Sequence, residues 1–140
     1  MKGKIMDKKN AIWFSRHQPT AAQLAECAAR GWNVVALDQG MELGARNILD
    51  DGDMHAVGTA LLSLAEEHSA VAIIGVWTAP MQELLVRTAQ DSVQMGWWCG
   101  VPCYAAWNVT RPVEGGKPVF EHRRFCAVGR LAAGALRWSK

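Results

Sequence analysis

The feature that most constrains this chain is an apolar run that leads directly into a helix start. Residues 12–14 are Ile, Trp and Phe, and Pro19 follows them after a short polar stretch. Thr20 and Gln23 then have the spacing of a capping box, in which the threonine hydroxyl and the glutamine amide satisfy free backbone donors at a helix N-terminus. The stretch therefore predicts a strand, a turn and a helix in close succession.

Three polar side chains occupy the turn between that strand and that helix. Ser15, Arg16 and His17 are displayed at the carboxyl end of the strand, beside the positive end of the helix. In an open α/β sheet ligands bind at this edge, and the helix dipole with its free N–H groups favours anionic ones. A capped turn whose polar residues only face water explains the same residues equally well.

The bulk composition is that of a folded globular domain. The chain has 140 residues, of which half are hydrophobic and a fifth are charged, so it can bury a core and is not disordered. Its formal net charge of +2 suits a small anionic ligand but is too weak to predict binding to long nucleic acid. Most of the seven tryptophans, including Trp97 and Trp98, are expected in the core or at a subunit interface, and one or two could stack on a base.

The four cysteines predict neither a disulfide scaffold nor a metal centre. Cys99 and Cys103 are spaced CxxxC, and the chain has no further pair at metal-ligand spacing. The charged first ten residues lack the apolar run of a signal peptide, and no segment has membrane-spanning length. We therefore expect a reduced, cytoplasmic protein with no cofactor, no bound metal and no membrane partner.

Apolar runs and helix signals alternate along the chain. The predicted strands are Ala11–Ser15, Asn33–Leu37, Ala70–Val76, Val101–Val109 and Val119–Val128. The predicted helices are Ala21–Arg30, one that Asp53 caps, and one that starts at Pro80 and continues to about Met95. We expect residues 1–10 to be a disordered lead-in and residues 11–140 to form one Rossmann-like domain, since no linker or repeat interrupts them.

The connecting segments carry weaker signals. Residues 38–40 are expected to be the exit loop of the second strand, and residues 41–52 to be irregular or briefly helical. Pro112–Pro118 predicts a hairpin, so that the last strand returns antiparallel. The tail Leu131–Trp138 could form a short helix.

The alternation predicts a mostly parallel sheet with helices on both faces and an antiparallel C-terminal edge hairpin. Right-handed crossovers place the first strand beside the Ala70–Val76 strand, so that the topology reverses between them. The turns Ser15–Thr20 and Gly75–Pro80 then face each other across one crevice, where two helix N-termini converge. This convergence favours a ligand site more strongly than either turn alone.

The candidate site residues are the polar and aromatic side chains of these two turns. They are Ser15, Arg16, His17, Thr20 and Gln23 on one side and Trp77, Thr78 and Gln82 on the other. The Arg16 guanidinium is suited to phosphate, and His17 could act as an acid or base or only donate to phosphate. Trp77 offers a flat face to a base, although a tryptophan at a strand end is more often part of the core.

Known nucleotide and hydrolase motifs are absent from the sequence. There is no GxGxxG, no P-loop and no GxSxG. Residues 50–53 are better explained as a solvated helix cap than as a calcium loop, because the later bidentate glutamate is lacking. In the return strand, His122, Arg123 and Arg124 could form a basic wall or simply solubilise an edge, and strand alternation puts His122 and Arg124 on one face.

The first turn resembles that of the small stand-alone CRISPR-associated ring nucleases, CARF-related proteins with a Rossmann-like domain. In one subfamily the turn reads approximately Phe-Ser-His-Pro-Leu-Thr-x-x-Gln, and here residues 14–23 read Phe-Ser-Arg-His-Gln-Pro-Thr-Ala-Ala-Gln. The order of strands, helices and hairpin over roughly residues 11–130 is similar in outline. Arg16, inserted before His17, and Trp77-Thr78 in the second turn depart from the pattern.

This resemblance implies that the protein binds a cyclic oligoadenylate second messenger, most often the tetramer, in a pocket shared by a homodimer. It also implies metal-independent cleavage by a ribose 2′-hydroxyl, which switches off type III CRISPR signalling. Arg16 would then stabilise charge, Ser15 or Thr78 would orient a phosphate, and His17 would transfer a proton to the leaving oxygen. A non-catalytic sensor or sink of the same ligand is an alternative, and a nucleotide- or nucleoside-processing enzyme a more distant one, with Asp38 as its only candidate carboxylate.

Overall fold

Strands and helices alternate along the part of the chain that is described. The computed structural model describes residues 8–83, 85, 100–112 and 114–131. In chain order the elements are β1 (Lys9–Phe14), α1 (Ala21–Ala29), β2 (Trp32–Val35), α2 (Leu37–Gly44), α3 (Asp51–Glu67), β3 (Ala72–Gly75), β4 (Val101–Arg111) and β5 (Val119–Leu131). Residues 79–83 and 85 are also helical. No helix within these described ranges has the length and apolar character needed to cross a membrane.

The strands form one sheet in the order β2-β1-β3-β4-β5. β1 pairs in parallel with β2 and β3, β3 pairs in parallel with β4, and β5 returns antiparallel along β4. The chain moves from β1 outward to β2 and then crosses back past β1 to β3, so the topology reverses between β1 and β3. The fold is therefore Rossmann-like α/β with an antiparallel edge hairpin, and the predicted switch point is confirmed.

Helices lie on both faces of the sheet, which explains why its central strands are apolar throughout. On one face Phe14 and Ile73 belong to a cluster with Leu61 of α3. On the other face Ile74 belongs to a cluster with Cys27 of α1. All residues of β3 are buried, as predicted for a central strand.

The segment after β2 differs from the sequence expectation. Residues 38–40, expected to be an exit loop, belong to α2. Ala36, whose φ of 52° is left-handed, turns the chain directly from β2 into that helix. Gly40 lets α2 approach β1 closely, because a Cβ there would stand 1.9 Å from the Trp13 carbonyl oxygen. The close approach places the end of α2 beside the end of β1.

Smaller differences concern where elements begin. β1 begins at Lys9, so that Lys9 and Asn10 belong to the strand rather than to the lead-in. Asp50, rather than Asp53, is the N-cap of α3, and its carboxylate accepts the Asp53 N–H at 2.8 Å. Both corrections move an element start N-terminally, into residues whose polar side chains hid the boundary.

The last two strands are longer than predicted and leave the sheet together. β4 pairs with β3 only as far as Ala105. Beyond that point residues 106–111 and 119–125 continue as a two-stranded arm, here called the hairpin arm. The arm extends from the edge at which the parallel strands end, which is the edge that carries the predicted crevice.

A β-bulge in the hairpin arm changes which side chains share a face. Trp107 pairs with Arg124 and the next residue of β4 pairs with His122, so that Arg123 is the extra residue. As a result His122 contacts Phe125, with ring centroids 4.9 Å apart, while Arg124 stacks on Trp107 at 5.2 Å. The expectation that His122 and Arg124 share a face is therefore wrong, because the bulge shifts the alternation of the strand.

Several expectations concern residues that are not described. They are the lead-in over residues 1–7, the end of the long helix with Trp97, Trp98 and Cys99, and the tail after Leu131. The cysteines that are described, Cys27, Cys103 and Cys126, are free thiols.

Candidate ligand-binding site at the β1–β3 switch point

The first turn is held in one shape by hydrogen bonds of its own residues. Thr20 Oγ1 accepts the Gln23 N–H at 3.1 Å, and Gln23 Oε1 accepts the Thr20 N–H at 2.8 Å, so the predicted capping box is confirmed. The Trp13 indole N–H donates to the His17 carbonyl at 2.7 Å, and Ser15 Oγ accepts the His17 N–H at 3.2 Å. These bonds tie the turn to β1 at one end and to α1 at the other.

Arg16 and His17 are exposed, as are Gln18 and Thr20, whereas Ser15 and Gln23 are buried. Arg16 Nε lies 3.5 Å from His17 Nε2, so the guanidinium and the imidazole stand side by side. Within the described ranges Arg16 forms no ion pair. A guanidinium that no described carboxylate neutralises, next to a helix N-terminus, is well placed to bind an anion.

The second turn lies directly beside the first, because β1 and β3 are neighbouring strands. The Val76 N–H donates to the Phe14 carbonyl at 3.1 Å. Thr78 is exposed, and its carbonyl accepts the Gln82 N–H at 2.9 Å where the helical segment begins. The two predicted turns thus meet at the switch point.

Trp77 belongs to the core, which is the interpretation favoured for a tryptophan at a strand end. It is 5% exposed and packs on Phe14 with ring centroids 5.1 Å apart. Its indole N–H donates to the Tyr104 carbonyl at 2.9 Å, which fixes the ring. The amide of Gln82, an exposed residue, donates to the Trp77 carbonyl at 3.0 Å, so Gln82 supports the second turn rather than lining a cavity.

Two cavities lie on either side of a ridge formed by Ser15, His17 and Val76. The α2-side cavity, of about 420 Å³, is lined beyond the ridge by Phe14, Arg16, residues 43–48, Thr78 and Met81. The α1-side cavity, of about 390 Å³, is lined beyond the ridge by Trp13, Gln18, Thr20, Gln23, Ile74, Gly75, Trp77, Ala105, Ala106 and Asn108. Gln82 is not among the described residues of either lining, whereas the other candidate residues all are.

The α2-side cavity carries most of the positive charge. Arg16 and His17 reach it from the first turn, and Arg46 and Asn47 reach it from the end of α2. Glu42 holds Arg46 through two hydrogen bonds of 2.9 Å, and these bonds lower the pKa of the Glu42 carboxyl. Arg16 therefore contributes the less neutralised cation, and the cavity suits a phosphate group.

Arg46, Asn47 and Asn108 line the crevice although no sequence motif marks them. Arg46 and Asn47 lie in the segment that was expected to be irregular or briefly helical, and they reach the site only because α2 approaches β1. Asn108 reaches the α1-side cavity from the hairpin arm. The polarity of these residues was the only available signal, and it is shared with many surface positions.

Comparisons with known proteins do not extend this description, because no family model, no curated protein and no solved structure matches the chain. Among the described residues, no three His, Cys, Asp or Glu side chains come together in a group that could hold a metal ion. The fold and the geometry of the crevice are therefore the basis for the functional argument.

Proposed function

We propose that this protein binds a cyclic oligoadenylate, with the tetramer as the expected ring, in the switch-point crevice and cleaves it. The observation that carries the proposal is the pair of exposed side chains Arg16 and His17 on a rigid turn between two cavities. A cyclic oligonucleotide presents both phosphates and bases, so a crevice with a cationic side and a less charged side suits both parts. The similarity of residues 14–23 to the ring nuclease turn supports the same ligand.

The proposed reaction is an in-line transesterification at one phosphate of the ring. A ribose 2′-oxygen forms a bond to the adjacent phosphorus while the bond to the 5′-oxygen breaks, which leaves a 2′,3′-cyclic phosphate and a 5′-hydroxyl. The 2′-hydroxyl loses one proton to solvent and the 5′-oxygen gains one, so the step consumes no other reactant. Such a reaction is accelerated when the in-line geometry is held and the charge on the phosphate oxygens is stabilised.

Four polar residues of the two turns have a role in this reaction. Arg16 binds the non-bridging phosphate oxygens. Ser15 Oγ accepts the His17 N–H, which leaves its own hydroxyl hydrogen to donate to a phosphate oxygen, and Thr78 supplies a second hydroxyl from the other turn. His17, exposed beside Arg16, donates the proton to the leaving 5′-oxygen.

The ring is bound between two copies of the chain, because a symmetric ligand is matched by a symmetric pair of crevices. Each copy contributes one switch-point crevice to the shared pocket. In the cell the activity would remove the messenger of type III CRISPR antiviral signalling.

A non-catalytic sensor or sink of the same ring is the second candidate function. One observation favours it: among the described residues that line the two cavities, His17 is the only side chain suited to proton transfer near neutral pH, whereas a sink needs none. A nucleotide-processing enzyme has less support. Its candidate carboxylate, Asp38, is exposed in the first turn of α2 and is not among the described residues that line either cavity.

Product analysis with labelled cyclic tetra-adenylate tests the proposal. We expect linear fragments with 2′,3′-cyclic phosphate ends, formed at the same rate in excess chelator. Bound but intact ring would favour the sink, and a wild-type protein that neither binds nor cuts the ring would refute the proposal.

A matched pair of arginine variants tests the binding role separately. Arg16→Ala should weaken ring binding about 10–100-fold, the value expected for a charge-assisted hydrogen bond. Arg124→Ala removes an arginine that stacks on Trp107 and is not among the described residues lining the crevice, so it should leave binding unchanged. Equal losses in the two variants would indicate attraction by net charge alone.

A further inference from the structure

A third cavity continues the α1-side cavity along the hairpin arm. This hairpin cavity, of about 430 Å³, shares Thr20, Gln23 and Asn108 with the α1-side cavity. Arg111 and residues 119–122 complete its wall from the arm. Because the two cavities have wall residues in common, a ligand in the crevice can extend into the hairpin cavity along α1.

One buried side chain of the hairpin cavity has an unused hydrogen-bonding atom. The His122 side chain is 6% exposed, and its Nε2 lies 2.7 Å from Glu26 Oε1. An ionised carboxylate only accepts hydrogen bonds, so Nε2 carries a hydrogen, and in the neutral ring Nδ1 then carries a lone pair. Within the described part of the chain, Nδ1 exposes less than 1 Å² and has no hydrogen-bond partner. A buried acceptor of this kind calls for a donor that the described residues do not supply.

The surroundings of His122 hold its ring in one orientation. Glu26 also accepts the Phe125 N–H at 3.0 Å and an Arg30 N–H at 2.8 Å, so the carboxylate is itself fixed. The His122 ring packs against Phe125 with ring centroids 4.9 Å apart. Nδ1 therefore has a defined position, as a group that recognises a ligand must have.

The hairpin cavity is close to neutral, unlike the α2-side cavity. Arg111 forms an ion pair with Glu121, which lines the same cavity. Val119 and Phe120 are 51% and 74% exposed, so an apolar wall and an aromatic ring are available to a ligand. These properties suit an uncharged heterocycle better than a phosphate.

We propose that the hairpin cavity is a base pocket, in which His122 Nδ1 accepts a hydrogen bond from the exocyclic amino group of adenine. The Asn108 side-chain amide binds a second position on the base edge, and Phe120 stacks on the face of the base. Since Nδ1 is covered in the free protein, the base reaches it only when the side chains around His122 move. The inference rests on the proposed function for the identity of the ligand.

The pocket distinguishes bases by the group that meets Nδ1. Adenine presents amino hydrogens there, whereas hypoxanthine and guanine present a carbonyl oxygen at the same ring position. Two acceptors facing each other leave both without a donor, so the carbonyl-bearing bases bind less well. His122 would thus determine which base the ring must carry, while Arg16 binds phosphate regardless of the base.

Equilibrium binding of two rings tests this assignment: cyclic tetra-adenylate and cyclic tetra-inosinate, which differ at that amino group. The wild-type protein should prefer the adenylate ring by about tenfold or more. His122→Phe keeps an aromatic side chain against Phe125 but removes the acceptor. It should therefore weaken binding of cyclic tetra-adenylate and abolish the preference for it over cyclic tetra-inosinate. Asn108→Ala changes an exposed residue outside the buried contacts of Glu26 and His122, so it should leave the fold intact. It should also weaken binding of cyclic tetra-adenylate several-fold. His55→Phe on α3, across the sheet, is the matched control and should bind as wild type does.

The outcomes separate the base pocket from the proposed function. A folded His122→Phe protein with the wild-type preference would overturn the base pocket alone, and so would wild-type protein that binds both rings equally. Should His122→Phe fail to fold, unchanged affinity of Asn108→Ala for the adenylate ring would overturn the pocket. A wild-type protein that binds neither ring would overturn the proposed function as well.

Discussion

Replacing Glu26 with glutamine should weaken the polar link between α1 and β5. The Glu26 carboxylate accepts the Phe125 N–H at 3.0 Å, lies 2.7 Å from His122 Nε2, and pairs with Arg30 Nη2 at 2.8 Å. Glutamine has nearly the same shape but a single acceptor oxygen, and its own amide hydrogens would point toward these donors. At least one buried donor therefore loses its acceptor.

The magnitude follows from the donors that are left unpaired. Each buried donor that loses its acceptor destabilises the folded state by about 1–3 kcal/mol. The bond to Arg30 counts for less, because the Arg30 side chain is 33% exposed and its charge is partly screened. We expect the free energy of unfolding to fall by about 2–4 kcal/mol at pH 7. For a chain of 140 residues this corresponds to a decrease in Tm of about 10 °C.

The difference between wild type and Glu26→Gln should depend on pH in one direction. Burial alone would raise the pKa of the Glu26 carboxyl, but hydrogen bonds from Phe125, His122 and Arg30 lower it below its ordinary value of 4.5. A carboxyl with a lowered pKa contributes stability above its unfolded-state value, and this contribution is lost as the pH falls through the folded-state value. The gap should therefore be complete at pH 7 and shrink below pH 4.5.

Urea denaturation followed by tryptophan fluorescence at a series of pH values measures this gap. Glu42→Gln is the matched control, because Glu42 also pairs with an arginine four residues later, but its side chain is 59% exposed. The control should leave the denaturation midpoint close to that of wild type. Equal midpoints for the two variants at pH 7, or a gap that persists undiminished in acid, would refute the reasoning.

Three further predictions concern the crevice and its supports. Gly40→Ala should lower the free energy of unfolding by about 1–3 kcal/mol, because its Cβ would lie 1.9 Å from the Trp13 carbonyl oxygen. Gly52→Ala, in the first turn of α3, is the control and should stay close to wild type in the same urea denaturation. His17→Ala should bind the ring normally and cleave it about 10²–10⁴-fold more slowly in single turnover, and full-rate cleavage by the folded variant would contradict its role as proton donor. Sedimentation equilibrium should show a dimer with the ring bound; a monomer at micromolar concentration, with and without the ring, would exclude the shared pocket.

The first turn could be predicted in detail because its determinants are local. Thr20 and Gln23 lie three residues apart, and each satisfies a backbone donor of the other without help from the rest of the chain. The switch point between β1 and β3 followed from the handedness of crossovers, which is a property of chain connectivity rather than of side-chain detail. The burial of β3 followed from its continuous apolar run.

The remainder of the crevice depends on contacts between residues that are distant in sequence. Glu26 and His122 are 96 positions apart, and a bulge at Arg123 turns His122 toward α1 against the simple alternation of the strand. Arg46 lines the α2-side cavity only because Gly40 lets α2 approach β1. Periodicity and caps report the state of a segment and where it begins. They do not report which helix lies over which strand or where a β-bulge shifts the side-chain alternation of a strand, because the packing of the whole sheet decides both. The sequence by itself thus determined the fold class and the polar turn, and the tertiary structure decided which side chains surround that turn.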